Sequence, residues 1–159
     1  SAPHKPRLWF WVGVLLAATV AVAVESELLV DSLEVATEQL GLTQLFTGVI
    51  LLPIFGNAAE HASAITVAIK NKMDLSVSVA MGSSLQIALF VGPVLVLAGW
   101  YLNQPMDLNF GHLELVAVAV SVLIANSISS DGLSNWLEGA MLVAAYTILG
   151  LAFFFYPVV

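Results

Sequence analysis

The fold depends first on residues 43–72, which read TQLFTGVILLPIFGNAAEHASAITVAIKNK. A helix needs about 20 mostly apolar residues to cross the roughly 30 Å hydrocarbon core of a bilayer, and this stretch is long enough. Its apolar run is broken in the middle by Pro53, Gly56, Asn57, Glu60 and His61. The proline predicts a kink near residues 49–53. An ionised carboxylate at the bilayer centre costs about 2.5–3.5 kcal/mol even on the scale derived from insertion experiments. Glu60 must therefore be paired, protonated or exposed to water, and we take it as a candidate functional residue.

The composition of the whole chain points to a membrane protein. Of its 159 residues, 60% are apolar and 9% are charged, and the mean hydropathy is +0.98. Soluble domains average about 45–50% apolar and about 25% charged residues. A soluble globular fold and a disordered chain are both excluded. Four basic against eleven acidic residues, a net charge of −7, disfavour nucleic acid as a partner.

Five segments are long and apolar enough to be membrane helices. They lie at about residues 8–40, 43–69, 75–102, 112–128 and 136–156, separated by short turns. We expect helices and not barrel strands, because the runs are long and do not alternate between apolar and polar residues. Asn135, followed three residues later by Glu138, is typical of the start of a helix. The prediction is an all-α membrane protein in which residues 1–159 form a single five-helix domain.

The basic residues predict the orientation in the membrane. With five spans, Lys5, Arg7, Lys70 and Lys72 all fall on one side, and the loops opposite have no basic residue. The positive-inside rule then places the N-terminus in the cytoplasm. The chain begins Ser-Ala-Pro without a methionine or a signal peptide, and we expect it to be a processed or excised part of a longer protein.

Polar residues also interrupt the third segment. Gly82, Ser83, Ser84 and Gln86 lie together in its middle. Two interrupted helices at corresponding depth, with freed carbonyls and oxygen-bearing side chains, are typical of ion sites in secondary transporters. For the isolated serines at 76 and 78 we expect instead a hydrogen bond back to their own helix.

The first segment carries an acidic stripe. Glu27, Asp31, Glu34 and Glu38 follow one another at helical spacing on one face. The stripe is either a solvated helix end or a vestibule that concentrates cations, and the sequence leaves both open. For His61, a satisfied interior histidine and a proton carrier likewise both remain open.

The candidate ligands are carboxylate, amide and hydroxyl oxygens, which suit hard cations such as Ca²⁺, Mg²⁺ or Mn²⁺. A carboxylate can bind a proton as well, so competition for Glu60 would lead to exchange. Motifs of metalloproteases, serine hydrolases and phosphate-binding loops are absent, and we do not expect an enzyme.

Several motifs resemble the second repeat of the cation/proton exchangers of the CAX family. They are GNAAEH at 56–61, NKMD at 71–74, GSSLQ at 82–86, DGLSNWLEGAMLVAAY at 131–146 and AFFFYP at 152–157. The resemblance implies export of cytosolic Ca²⁺ in exchange for protons by alternating access, without a cofactor. It also implies two inverted five-helix repeats, of which this chain is similar to the second alone.

The resemblance also implies roles for individual residues. Glu60 would bind Ca²⁺ (or Mn²⁺) or a proton, and the other cation-site residues would be Asn57, His61, Ser83, Ser84 and Gln86, of which Ser83 and Gln86 would join Glu60 as metal ligands. The stripe residues Glu27, Asp31 and Glu34 would lie beside the access route. Access and gating would also involve the helix interruptions at Pro53, Gly56 and Gly82.

The partner glutamate of the first repeat is missing from this sequence. We therefore expect the lipid bilayer and a first repeat, on another chain or removed, as partners, and a homo-oligomer is a further option. The membrane is a cell (inner) membrane or a vacuole-like organelle membrane. Two alternatives remain: a cation-conducting channel subunit, and a membrane subunit that regulates or assembles a complex without transporting.

Overall fold

A computed structural model describes residues 7–130 and 132–157. Lys5, which contributed to the predicted orientation, and Asp131, which begins one of the motifs, lie outside the described residues. All regular elements within these ranges are helices: α1 (Leu8–Gln39), α2 (Gln44–Gly56), α3 (Ala58–Ile69), α4 (Met73–Tyr101), α5 (His112–Ser129) and α6 (Trp136–Phe155). Four helices of the described part are candidate spans, and α2 and α3 make a fifth if counted as one broken span. The predicted all-α membrane fold is confirmed.

The spans expose their apolar side chains instead of burying them. In α1, α4 and α5 none of the most apolar stretch is buried within the protein. Large aromatic side chains are exposed near the helix ends, as Trp9, Trp100, Tyr101 and Trp136 show. Aromatic residues at both ends of apolar helices are typical of the two membrane interfaces. The surface of these helices is therefore suited to lipid or to further protein, and not to water.

The described part of the chain divides into two compact units, residues 7–56 and residues 57–130 with 132–157. In the first unit α1 and α2 pack together, and Leu33, Thr37 and Ile50 are buried. The Thr37 hydroxyl donates to the Leu33 carbonyl oxygen at 2.6 Å. Because a hydroxyl has only one hydrogen, Thr47 must be the donor in the 2.8 Å bond between its Oγ1 and Thr37 Oγ1. This bond ties the two helices together near the turn that joins them.

A widened, π-helical turn precedes a proline in both α2 and α4. The turns cover Thr47–Leu51 and Ile87–Val91, and each ends two residues before Pro53 or Pro93. Proline has no N–H and its ring crowds the carbonyl one turn earlier, so the regular bonding pattern cannot continue through it. The sequence predicted a kink near residues 49–53. The irregularity found there is this wide turn, and the helix itself breaks later, at Asn57.

In the second unit α3 and α4 form a hairpin. They are joined by a tight turn in which Asn71 has a φ of +59°, a conformation that asparagine tolerates better than most residues. The amide of Lys72 bonds back to the carbonyl of Val67 and closes the end of α3. Further along, Asn135 Oδ1 accepts the amide of Glu138 at 2.9 Å, so the predicted start of α6 is confirmed. The α3–α4 hairpin brings together the polar interruptions of two neighbouring segments.

Candidate cation site

The break at Asn57 gives Glu60 its local environment. Asn57 has φ −102° and ψ 14° between the end of α2 at Gly56 and the start of α3 at Ala58. We expected Glu60 in the middle of an interrupted span, away from a helix end; in the structure the span breaks at Asn57, and Glu60 lies in the first turn of α3. The positive end of a helix dipole favours a carboxylate at that position. The amide N–H groups of the first turn also have no carbonyl partner within their helix.

Glu60 and Ser83 are hydrogen-bonded across the hairpin. Ser83 Oγ donates to Glu60 Oε2 at 2.5 Å, although the two residues are 23 positions apart in the sequence. A carboxylate oxygen is a strong acceptor for a hydroxyl donor. The glutamate of α3 and the serine of α4, which the sequence analysis found in separate segments, thus belong to one site.

A cavity of about 200 Å³ lies beside this pair. Its lining consists of small and polar residues from both helices: Asn57, Glu60, His61, Ala64, Val79, Ala80, Ser83 and Ser84. Five of the six predicted cation-site residues are among them. The hydroxyl of Ser84, however, donates to the carbonyl of Ala80 in its own helix at 3.0 Å. Glu60 itself is exposed in this chain, so the cavity is open on one side.

The remaining predicted residues do not line this cavity. Gln86 is exposed at the position just before the π-helical turn of α4. Gly56 and Gly82 have open space where a Cβ would be, so no close contact requires a glycine there. The proposed access residue Pro53 lies in α2, in the other unit. Their roles in gating or binding remain predictions.

Two of the acids on α1 line a second cavity, which belongs to the first unit. Its volume is about 240 Å³, and its lining combines both helices of that unit: Val30, Leu33, Glu34, Thr37, Glu38, Gln44, Thr47, Gly48 and Leu52. Glu27 and Asp31 are exposed and are not part of it. The stripe therefore divides into two pairs: Glu27 and Asp31 lie on the open surface, and Glu34 and Glu38 line a groove between α1 and α2. Sequence reasoning did not single out Thr37 or Thr47, whose bond holds that groove together.

The prediction for Ser76 was wrong. Its hydroxyl does not bond within its own helix as expected but donates to the carbonyl of Ala64 in α3 at 2.8 Å. No local pattern would have predicted this, because the bond requires α3 and α4 to be close at that level.

The oxygen-rich lining suits a hard cation, for which carboxylate, hydroxyl and amide groups are the usual ligands. Among residues 7–130 and 132–157 there is no group of three or more His, Cys, Asp or Glu side chains placed to hold a metal. This cavity therefore offers one carboxylate together with neutral oxygens. A broken membrane span that carries an acid, beside a span that carries hydroxyl groups, is the architecture of a secondary ion transporter.

Within the secondary ion transporters, the sequence identifies the family to which this chain belongs. Residues 10–155 match the family described as "Sodium/calcium exchanger protein", and the chain belongs to it. The resemblance to cation/proton exchangers found in the sequence is confirmed.

Individual relatives agree with this assignment. The chain is 73% identical over 157 residues to a Ca(2+)/H(+) antiporter of Aphanothece halophytica, covering 99% of this chain and 42% of that protein. It is also 73% identical over 154 residues to a Ca(2+)/H(+) antiporter of Synechocystis sp., covering 97% and 41%. A crystal structure of the Ca2+/H+ antiporter protein YfkE superimposes with a TM-score of 0.81 at 52% identity, covering 91% of this chain and 47% of that one. The chain thus spans about two fifths of the length of these curated relatives.

Proposed function

We propose that this chain is the second inverted repeat of a secondary-active Ca²⁺/H⁺ antiporter that exports cytosolic Ca²⁺ in exchange for protons. The observation that carries the proposal is the Glu60 carboxylate, which accepts a bond from Ser83 on the wall of an oxygen-lined cavity. The relatives named as Ca(2+)/H(+) antiporters, of whose length this chain covers about two fifths, support it. Mn²⁺ is a second possible substrate, since the same ligands suit it.

In this mechanism Glu60 binds either a proton or the cation. Ser83 and Asn57 supply neutral oxygens around it, and Gln86 joins them at the end of the regular part of α4. Ser84 lines the same wall, with its hydroxyl bonded to its own helix, and His61 is the neighbour of Glu60. A bound proton and a bound cation both reduce the negative charge of the site. The loaded transporter therefore changes from inward-facing to outward-facing more readily than the empty one. The broken helix at Asn57 and the acids of α1 serve access to this site.

The remainder of the antiporter supplies the first repeat and a second carboxylate. We propose that it is contributed by the rest of a longer chain or by a separate one, with the N-terminus of this chain on the cytoplasmic side. The protein resides in a cell membrane or in a vacuole-like membrane. The family and its relatives are transporters by name, and we propose no enzymatic reaction.

A chimera provides the test. This chain replaces the matching 157 residues of the Aphanothece halophytica antiporter, and Ca²⁺ uptake into everted vesicles is driven by a pH gradient. The intact chimera should take up Ca²⁺, and uptake should stop when the gradient is collapsed. Glu60→Gln should abolish uptake, because the amide keeps the shape of the side chain but neither ionises nor exchanges a proton. Glu25→Gln is the matched control, since Glu25 is exposed and lines neither cavity.

The outcomes separate the alternatives. Uptake that follows membrane voltage without a proton gradient would identify a channel subunit. A chimera that reaches the membrane but does not transport, while the intact relative does, would identify a non-transporting subunit. Normal uptake by Glu60→Gln would refute the assignment of the site.

A further inference from the structure

Ser76 differs from most other hydroxyl residues of the membrane helices. The hydroxyls of Ser63, Ser84 and Ser121 each donate to the carbonyl four residues earlier in the same helix. Ser76, in the first turn of α4, donates instead to the carbonyl of Ala64 in α3. It is half-buried between the two helices.

This bond lies at the level between the candidate site and the turn of the hairpin. Ala64 is one helical turn beyond Glu60, and Ser76 is two turns before Ser83, so both residues face the opposing helix on the same side as the site. Ala64 also lines the cavity beside Glu60. The two bonds, Ser83 to Glu60 and Ser76 to Ala64, therefore fix the same helix pair at two successive levels.

The two bonds respond differently to the occupant of the site. The bond between Ser83 and Glu60 must rearrange when the carboxylate takes up a proton or a cation, because its acceptor changes charge and acquires a new partner. The acceptor of Ser76 is a backbone carbonyl, which neither titrates nor binds the substrate in this arrangement. We propose that Ser76 is a positioning residue, which keeps α3 and α4 in register while the Glu60–Ser83 bond is broken and remade. This inference rests on the proposed function.

Transport by the chimera tests the effect on the site. Hydrogen bonds between membrane helices have a mean contribution of about 0.6 kcal/mol, which corresponds to an about threefold change in an equilibrium constant. We expect Ser76→Ala to raise the KM for Ca²⁺ about threefold with little change in the maximal rate, and Ser76→Thr, which keeps the hydroxyl, to restore it. Ser121→Ala removes the same atom from a bond within one helix and should leave KM unchanged.

A second measurement uses the chimera in lipid nanodiscs, with any cysteine of the relative's part replaced by serine. Because the sequence contains no cysteine, spin labels can be attached through Ile65→Cys in α3 and Met81→Cys in α4, both at exposed positions. Ser76→Ala should broaden the distance distribution between the labels, and Ser76→Thr and Ser121→Ala should not.

The results distinguish the two hypotheses. If the intact chimera transports but Ser76→Ala behaves like Ser121→Ala in KM, the positioning role is refuted and the proposed function stands, whatever the label distances show. If KM rises without a change in the distances, Ser76 does not act by holding the helices and the inference is again overturned. If the intact chimera fails to transport, the proposed function fails and the role of Ser76 in it falls too.

Discussion

Replacing Ser83 by alanine should weaken Ca²⁺ binding about tenfold, whereas the same change at the adjacent Ser84 should leave it nearly unchanged. Both serines line the cavity, and both substitutions remove one hydroxyl oxygen. Ser83 donates to the Glu60 carboxylate at 2.5 Å, and Ser84 donates to a carbonyl of its own helix. When Ca²⁺ binds, this hydrogen bond must break, and the Ser83 oxygen, a predicted metal ligand, can turn to the cation. The alanine variant lacks that ligand, and the bond of a polar group to a charged one contributes about 1.5–3 kcal/mol. Because Glu60 is exposed in this chain, the low end applies, and about 1.4 kcal/mol corresponds to a tenfold change.

The measurement is the concentration dependence of Ca²⁺ uptake in the chimera at a fixed pH gradient. The KM should rise about tenfold for Ser83→Ala and stay within about twofold of the parent for Ser84→Ala. The amount of protein in the vesicles is determined for each variant, so that a loss of folding is not mistaken for a loss of affinity. Equal effects of the two substitutions, or a larger effect at Ser84, would refute the reasoning, because the orientation of the two hydroxyls would then not matter.

Two further predictions concern the acids of α1 and the orientation of the chain. Glu34 and Glu38 line the groove of the first unit, and neutralising them should raise the KM for Ca²⁺ about two- to threefold at low salt. The effect should be smaller at high salt, because local negative charge concentrates cations and salt screens that attraction. Neutralising Glu27 and Asp31, which lie outside the groove, should have the smaller effect, and an equal effect of both pairs would indicate a solvated helix end with no vestibule. Since the chain has no cysteine, single substitutions can report orientation: Lys72→Cys should react with a membrane-impermeant maleimide from the cytoplasmic side, and Asn103→Cys from the other. The reverse pattern would contradict the proposed position of the N-terminus.

The long apolar segments allowed most of the helices to be predicted closely. For α1, α5 and α6 the observed ends lie within a residue of the expected ones, because turn-forming residues such as Gly41, Gly111 and Asn135 lie close to them. The break in the second segment was harder to predict. Pro53 is the strongest helix breaker in that sequence, but a wide turn accommodates it, and the chain leaves helical geometry at Asn57 instead. The local signal was present at both positions, and only the structure shows which of them interrupts the helix.

Contacts between helices were the part that sequence reasoning could not supply. Glu60 and Ser83 were both identified, but their pairing depends on the register of a hairpin, which is set by the turn at Asn71 and by small residues between the helices. Ser76 is a second example of a contact between helices that could not be predicted from the sequence. A hydroxyl in a membrane helix bonds to its own backbone by default. It bonds elsewhere only where a neighbouring backbone comes within reach, as it does at Ala64.

On the proposed function, the charge of the site explains why one repeat alone would be an incomplete exchanger. Glu60 supplies one negative charge. One bound proton neutralises it, whereas one bound Ca²⁺ leaves the site with a net charge of +1. A second carboxylate from the first repeat would make the empty site doubly negative. Two protons or one Ca²⁺ would then neutralise it equally, and both loaded forms would avoid the large free-energy penalty of carrying net charge through a medium of low dielectric constant. The empty form alone would bear that penalty, so the change of access would require an occupant, and Ca²⁺ movement would be coupled to proton movement. On this argument the serine and asparagine oxygens of this chain shape the site, while the coupling depends on pairing Glu60 with a second acid.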